Sequence, residues 1–300
     1  MKKQHQADLA LLGVTLAWGI SFILTKNSLE SLETFNFLGI RFLISAVTSA
    51  LFFYKRLMKL DRTTLKYGLL IGVIMFSGYA TQTIGLNYTT ASKSGFITGF
   101  SVVIVPIFSA LVLRKLPKFS SIIGVVSAII GLGMLTLDAH LQLNIGDFYT
   151  LIGAVCFAMH IITVGKYAVQ VDSINLAILQ IGVVGILSTI VSFLFETPVM
   201  PAAGSDWSSI LFLAFVCTSG AFIVQNAVQK YTSTTHTALI FTGEPVFSAI
   251  FAYILIGEVM NNRGIIGSIL IVAGMIVAEI DFDLSFFKAK KGKVIEEQIK

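Results

Sequence analysis

Charge is what this 300-residue sequence has least of. Asp, Glu, Lys and Arg together make up 12% of it, while 55% is hydrophobic and the mean hydropathy is +0.86. A soluble domain carries roughly 25% charged residues, so too little polar surface remains here to cover a water-facing exterior. Lipid is the expected solvent for most of that exterior. Cysteine is nearly missing. Cys156 and Cys217 both lie inside apolar runs, and two such residues build neither a disulfide framework nor a metal site. Period-two alternation is also missing, which excludes barrel strands. There is no G-x-x-x-x-G-K-[ST] phosphate loop, no H-E-x-x-H helix and no nucleophile with a positioned base. An ATP-driven pump and an intramembrane enzyme are therefore both excluded for this chain, and no cofactor, metal or catalytic residue is expected. The net charge of +5 does not indicate nucleic acid, because the basic residues sit in short connections beside apolar runs, where positive charge sets membrane orientation.

What is present is a succession of apolar runs. About 20 mainly apolar residues cross a hydrocarbon core of roughly 30 Å. The runs that qualify are 8–26, 34–54, 65–86, 92–113, 119–137, 147–168, 173–195, 207–229, 235–257 and 263–281. The first is too long for a signal peptide and lacks an A-x-A-like cleavage site, so it reads as a retained helix. An all-α polytopic membrane protein of ten helices follows, with a charged tail at 282–300. With both termini in the cytoplasm, seventeen of the 21 Lys and Arg fall inside. Only Lys26, Lys93 and Arg263 fall outside, and Arg41 lies within a helix. A missed or invented helix would scramble that alternation.

The two halves echo each other. Gln82-x5-Tyr88-Thr89 returns as Gln225-x5-Tyr231-Thr232, and Pro106-Ile-Phe-Ser-Ala110 as Pro245-Val-Phe-Ser-Ala249. Gly124 and Gly131 correspond to Gly267 and Gly274, and Gly13 and Lys26 to Gly153 and Lys166. The expected units are 1–137 and 147–281. Five helices per unit is odd, so the second copy must enter the bilayer inverted, the arrangement that lets two halves of a carrier exchange conformations around a midplane site.

Leu16-Ala-Trp-Gly-Ile-Ser-Phe22, Arg41-Phe42, Tyr88-Thr-Thr-Ala-Ser-Lys-Ser-Gly95, Glu244-Pro-Val-Phe247 and Gly257-Glu258 stand in order along the chain. Over roughly residues 8–281 the sequence resembles the EamA-type branch of the drug/metabolite transporter superfamily. The resemblance implies a basket-like bundle with a central cavity lined by both repeats. It also implies transport of amino acids, vitamins, other metabolites or toxic compounds, commonly outward.

Ionisable groups deep in a bilayer are costly, so each is a functional candidate. Glu244 is about nine residues into its helix and precedes Pro245, which leaves the Phe241 carbonyl without its helical donor. A carboxylate beside such a break could bind a cation or a proton, or fix packing through a neighbouring helix. Arg41 is expected to snorkel or to pair with a carboxylate; facing a cavity, it would suit a carboxylate-bearing substrate. His160 could relay protons, bond a substrate or simply pack. Polar and aromatic residues also recur at helical spacing: Thr15, Trp18, Phe22 and Thr25; Tyr79, Gln82 and Thr83; Ser94, Thr98 and Ser101; Thr218, Phe222, Gln225 and Gln229; Phe241, Glu244 and Ser248. Such faces would line a mixed pocket for an organic solute or hydrogen-bond between helices. Small residues four apart near Gly124, Gly131, Gly264 and Gly274 mark the fifth and tenth helices as scaffold or as dimer contacts.

The function expected is a secondary transporter in the cytoplasmic membrane, exporting amino acids or related metabolites by alternating access, with protons as coupling ion and a monomeric or homodimeric state. The alternatives are vitamin uptake, of riboflavin for example, and a passive channel. The substrate- or ion-handling candidates are Glu244, Gln82, Gln225, Trp18, Tyr79, His160 and Arg41.

Overall fold

The computed structural model describes residues 2–112, 119–137, 143–232 and 234–279. The expected tail at 282–300 and the basic segment around Arg114, Lys115 and Lys118 lie outside the described residues. Among the described residues the chain is helical and contains no β-strand. The helices are α1 (Lys2–Ser28), α2 (Thr34–Phe52), α3 (Arg62–Leu86), α4 in two pieces (Ala91–Gly99 and Ser101–Val112), α5 (Phe119–Thr136) and α6 (Ile145–Tyr167). They continue with α7 (Ser173–Phe195), α8 from Gly204 to Val228, α9 in two pieces (Thr234–Phe241 and Gly243–Ile256) and α10 (Asn262–Glu279). Eight of these are long and apolar enough to cross a membrane; α5 and α10 hold shorter apolar stretches, 122–136 and 262–277. Large apolar side chains such as Leu69, Ile186, Tyr253 and Ile269 stand exposed along the helices. A soluble protein would bury such faces, so this is a multi-pass membrane protein with lipid against them.

Glycine sets the closest helix pairs. A Cβ on Gly131 of α5 would come within 2.5 Å of the Gly267 carbonyl oxygen of α10, and one on Gly274 within 2.5 Å of the Gly124 oxygen. Backbone therefore lies on backbone along this pair, and Ser127 Oγ donates to Leu270 O at 3.1 Å. The small-residue faces of both helices are spent on each other within one chain. The α3–α6 pair repeats the device: a Cβ on Gly85 would meet Gly146 O at 2.6 Å, and one on Gly153 would meet Gly78 O at 3.1 Å. Those two contacts fix α3 and α6 as antiparallel. The principal pairings are α3 with α6 and α1 with α8, α1 with α9 and α6 with α4, α3 with α7 and α8 with α2, α2 with α7, α4 with α9, and α5 with α10. Exchanging α1–α5 for α6–α10 leaves that set unchanged.

Three helices are interrupted at the level of the core. α9 breaks at Thr242, directly after Phe241, whose carbonyl Pro245 leaves without its helical donor. α4 breaks at Phe100, six residues ahead of Pro106. α8 passes through a π-helical segment, Leu213–Gly220, and Thr218 Oγ1 donates to Leu213 O at 2.8 Å, five residues back. Segments of this kind occur often at functional sites.

Charged groups close the helix ends. Glu196, at the end of α7, accepts from the backbone N–H of Phe35 (2.8 Å) and Asn36 (2.7 Å), the first turn of α2. Glu33 reciprocates by accepting from Thr197 N at 3.0 Å. Glu196 offsets the positive end of the α2 dipole while satisfying two orphan donors, and Glu33 ties down the chain just past the C-terminus of α7. Asp61, outside the spans, caps α3 through Thr64; the Thr64 hydroxyl and backbone N–H hold its carboxyl below the usual carboxylate range. Lys26 donates to the carbonyls of Leu86 and Thr89 at the end of α3. Beside it the buried Asp147 accepts from Thr89 Oγ1 and pairs with Lys93 at 3.3 Å. This cluster ties α1, α3, α4 and α6 together at the face where α1 ends.

Candidate functional site

The interrupted helices meet around one cavity near mid-depth. α1 contributes Trp18, Ser21 and Phe22; α3 contributes Tyr79 and Gln82; α4 contributes Thr98 and Ser101, across its break. From the second half come Phe157 and His160 of α6, Phe222 and Gln225 of α8, and Phe241 and Glu244 of α9. The helical stripes legible in the sequence are what turn these side chains to one place. The free space is about 50 Å³ for water-sized spheres, room for a few waters. An organic solute requires the walls to separate. A second cavity, about 750 Å³, lies at the face where α1 ends, between Lys93, Asn144, Glu258 and Arg263; it shares no lining residue with the first.

Six of the seven sequence candidates line the central cavity: Glu244, Gln82, Gln225, Trp18, Tyr79 and His160. Among the described residues, no hydrogen bond or ion pair reaches the Glu244 carboxylate. Arg41 is placed elsewhere. Only 2% exposed, it donates from Nε to Thr218 Oγ1 at 2.9 Å, and its guanidinium carbon lies 5.2 Å and 5.4 Å from the ring centres of Phe42 and Tyr79. It neither snorkels nor pairs with a carboxylate, and it makes no contact with Glu244. The reason is the π-segment of α8, which brings the Thr218 hydroxyl to it from the opposite half of the chain.

Six aromatic rings wall the cavity, those of Trp18, Phe22, Tyr79, Phe157, Phe222 and Phe241. Trp18 contacts Phe222 (centroids 5.3 Å apart) and Phe241 (5.1 Å), and Tyr79 contacts Phe157 (5.3 Å). Trp18 turns its indole N–H away, donating to Cys217 O at 3.0 Å in the π-segment. Gln82 Nε2 donates to Thr98 Oγ1 at 2.9 Å.

Behind the wall lie two residues that sequence reasoning missed. Gln180 Oε1 is 2.6 Å from His160 Nε2, and Gln180 Nε2 donates to Asn226 Oδ1 at 3.1 Å. Both are completely buried. Gln180 belongs to α7, a helix with no polar stripe, and nothing in its apolar surroundings marks it except that a glutamine in a membrane span needs partners. That signal was present and unused.

The cavity is closed differently on its two sides. Toward the face where α1 ends, backbone meets backbone. A Cβ on Gly19 would fall 2.6 Å from Phe247 Cβ, and one on Gly95 2.6 Å from Ser248 Oγ. Ser248 Oγ also donates to Ala91 O at 3.2 Å, joining α9 to α4. Toward the other face the Trp18–Phe241 ring contact stands in the way.

Comparison with known proteins agrees with this architecture. The EamA-like transporter family matches residues 5–137 and again 144–279. An uncharacterized transporter of Archaeoglobus fulgidus is 33% identical over 278 residues, covering 93% of this chain and 87% of that protein. A probable amino-acid metabolite efflux pump of Salmonella typhimurium is 25% identical, covering 91% of this chain and 94% of its own. A crystal structure covering 91% of this chain and 96% of its own superposes with a TM-score of 0.69 at 19% identity, which shows the shared fold. The chain belongs to the EamA-like transporter family.

Proposed function

We propose that this transporter moves a small organic metabolite across the cytoplasmic membrane by alternating access, in the export direction, with both termini on the cytoplasmic side. One observation carries the reading. Side chains from both halves of the chain converge on a single mid-depth cavity, and a carboxylate without a partner, Glu244, sits among them beside a helix break. A group held only by packing in an apolar bundle would be expected to find a hydrogen-bond donor; Glu244 has none among the described residues. Discontinuous helices with ionisable groups at the bilayer midplane are the usual setting for substrate and coupling-ion sites.

The exchange-invariant helix pairing supplies the mechanical part. If α1–α5 and α6–α10 can trade conformations, the backbone closure at Gly19 and Gly95 opens as the opposite side seals. Glu244 would take up a proton or release it as access changes, coupling solute movement to the gradient. The amino-acid efflux relative from Salmonella supports amino acids or related metabolites as cargo. Purified protein in liposomes loaded with a panel of amino acids, vitamins and small amines tests this. Saturable efflux of one class, steepened by an imposed pH gradient, is the expected result. Flux without saturation would identify a channel, and no flux above empty vesicles for any compound would end the transporter reading.

A further inference from the structure

The cavity has a hydrogen-bonding polarity that its residue types alone do not reveal. Two side-chain relays run from its wall into the protein, and each ends on a backbone carbonyl. In the first, Asn226 Nδ2 donates to Phe222 O at 2.8 Å. A carbonyl only accepts, so the Asn226 amide orientation is fixed and its Oδ1 must accept from Gln180 Nε2. Gln180 then has only Oε1 to offer His160, so His160 Nε2 is the donor in the 2.6 Å contact. Neutral His160 is thereby held as the Nε2–H tautomer, and Nδ1 keeps a bare lone pair. In the second relay, Gln229 Nε2 donates to Ile161 O at 3.2 Å, so its Oε1 must accept from Gln225 Nε2, at 3.4 Å. Gln225 Oε1 is left buried with no partner among the described residues.

Two further N–H groups of the lining are spent inside the protein: Trp18 Nε1 on Cys217 O, and one hydrogen of Gln82 Nε2 on Thr98 Oγ1. The Ser21 hydroxyl donates to Trp18 O at 2.7 Å. The neutral hydroxyls of Tyr79, Thr98 and Ser101 can also donate, but the charged group of the wall is an acceptor, the Glu244 carboxylate, with His160 Nδ1 and Gln225 Oε1 as further acceptors and the rings of Trp18, Phe22, Tyr79, Phe157, Phe222 and Phe241 around them. Among the described residues, the guanidinium nearest the cavity is that of Arg41, which does not line it and packs against the Phe42 and Tyr79 rings. Bare acceptors satisfy a solute rich in N–H donors, and aromatic faces attract a cation. Among the described residues, no Lys or Arg lines the wall to pair with a carboxylate.

From this we propose that the cavity selects an organic ammonium, a protonated amine on an apolar or aromatic body, and that Gln180 and Asn226 are positioning residues that set this preference through His160. The inference rests on the central cavity being the transport site, and within the amino acids and related metabolites proposed above it makes the ammonium, and not the carboxylate, the group that is recognised.

Binding in detergent separates it from the flux reading. The chain has two tryptophans, so Trp207→Phe leaves Trp18 as the sole reporter, and its fluorescence follows titration with 2-phenylethylammonium and with 3-phenylpropionate. The ammonium is expected to bind at least about tenfold more tightly, the scale of one charged hydrogen bond. Gln225→Met should weaken the ammonium about fivefold or more and leave the carboxylate unmoved. Equal or reversed preference, or no effect of Gln225→Met, overturns the proposal. A second measurement does not depend on affinity. ¹⁵N NMR of the His160 ring, assigned by loss in His160→Gln, should show the Nε2–H tautomer, with a mixture appearing in Gln180→Leu. An Nδ1–H tautomer in the parent protein overturns it. Ammonium binding with no saturable flux would remove the transport reading and leave this selectivity standing; saturable flux of carboxylates with ammonium excluded would do the reverse.

Discussion

Arg41 Nε donates to Thr218 Oγ1 at 2.9 Å, and the same hydroxyl donates onward to Leu213 O at 2.8 Å. The guanidinium of one half therefore anchors the π-segment of the other. That segment presents the Cys217 carbonyl to Trp18 and so positions the cavity wall. Arg41→Lys keeps the charge but loses the planar group that packs against Phe42 and Tyr79 and reaches Thr218. We expect a loss of about 1–3 kcal/mol in stability, read as a lower unfolding temperature in detergent. Substrate affinity should move far less than thermal stability. A variant with normal stability and a specific loss of affinity for carboxylate solutes would instead place Arg41 at the substrate.

The α5–α10 pair makes a prediction of the same kind, stability without selectivity. A Cβ at Gly131 would meet Gly267 O at 2.5 Å and Ile271 N at 2.8 Å, both backbone atoms that cannot rotate away. Gly131→Ala should destabilise by about 3 kcal/mol, the upper range for overpacking. Where the variant is recovered, its ranking of solutes should match the parent's.

Gly95 tests the closure. Its missing Cβ makes room for Ser248, whose Oγ a Cβ there would meet at 2.6 Å, so Gly95→Val should hold α4 and α9 apart and bias the transporter toward opening at the face where α1 ends. With Cys156 and Cys217 replaced, a Ser21→Cys reporter in the cavity should label from that face several-fold faster in Gly95→Val than in the parent. Equal labelling rates would show that this contact does not gate access.

Glu244→Gln keeps the shape of the side chain and removes its titration. Gradient-driven efflux should lose its pH dependence, while counterflow exchange of the same solute, which needs no net proton movement, should persist at a reduced rate. Retention of a full pH response would move coupling to another residue.

Asp61 offers a pH test outside the membrane. Its carboxyl is held below the ordinary value by the Thr64 hydroxyl and backbone donors. A depressed carboxylate contributes its cap above the ordinary carboxylate range and loses it as pH falls through the lowered value. The hydrogen-exchange protection factor of the Thr64 amide should therefore be larger at neutral pH than in acid, and Asp61→Ala should abolish the difference.

Much of this was legible from residue types. The apolar runs place the helices within a few residues, because burying backbone in lipid demands helix wherever about 20 apolar residues run together. Pro245 announces the break in α9, and the Trp18, Gln82, Gln225 and Glu244 stripes point at the cavity because side chains three, four and seven apart share a helix face. The break at Phe100 had a weaker mark in Pro106. The π-segment of α8 had none: Leu213–Gly220 reads as ordinary apolar helix, and its register shift is held by partners 177 and 199 residues away in sequence, Arg41 and Trp18.

The sequence by itself determined the solvent, the helical class, the repeat and the set of polar residues that had to find partners inside the bundle. Composition and periodicity are local properties, and lipid enforces them on each helix separately. Which partners those residues found was decided by tertiary structure alone. Arg41 went to Thr218 and not to a carboxylate, Glu244 to none among the described residues, and His160 to Gln180, since each choice depends on how helices distant in the chain are brought together. The orientation of His160 and of Gln225 at the cavity wall follows from two backbone carbonyls, Phe222 O and Ile161 O, and a carbonyl's neighbours exist only once the helices have packed.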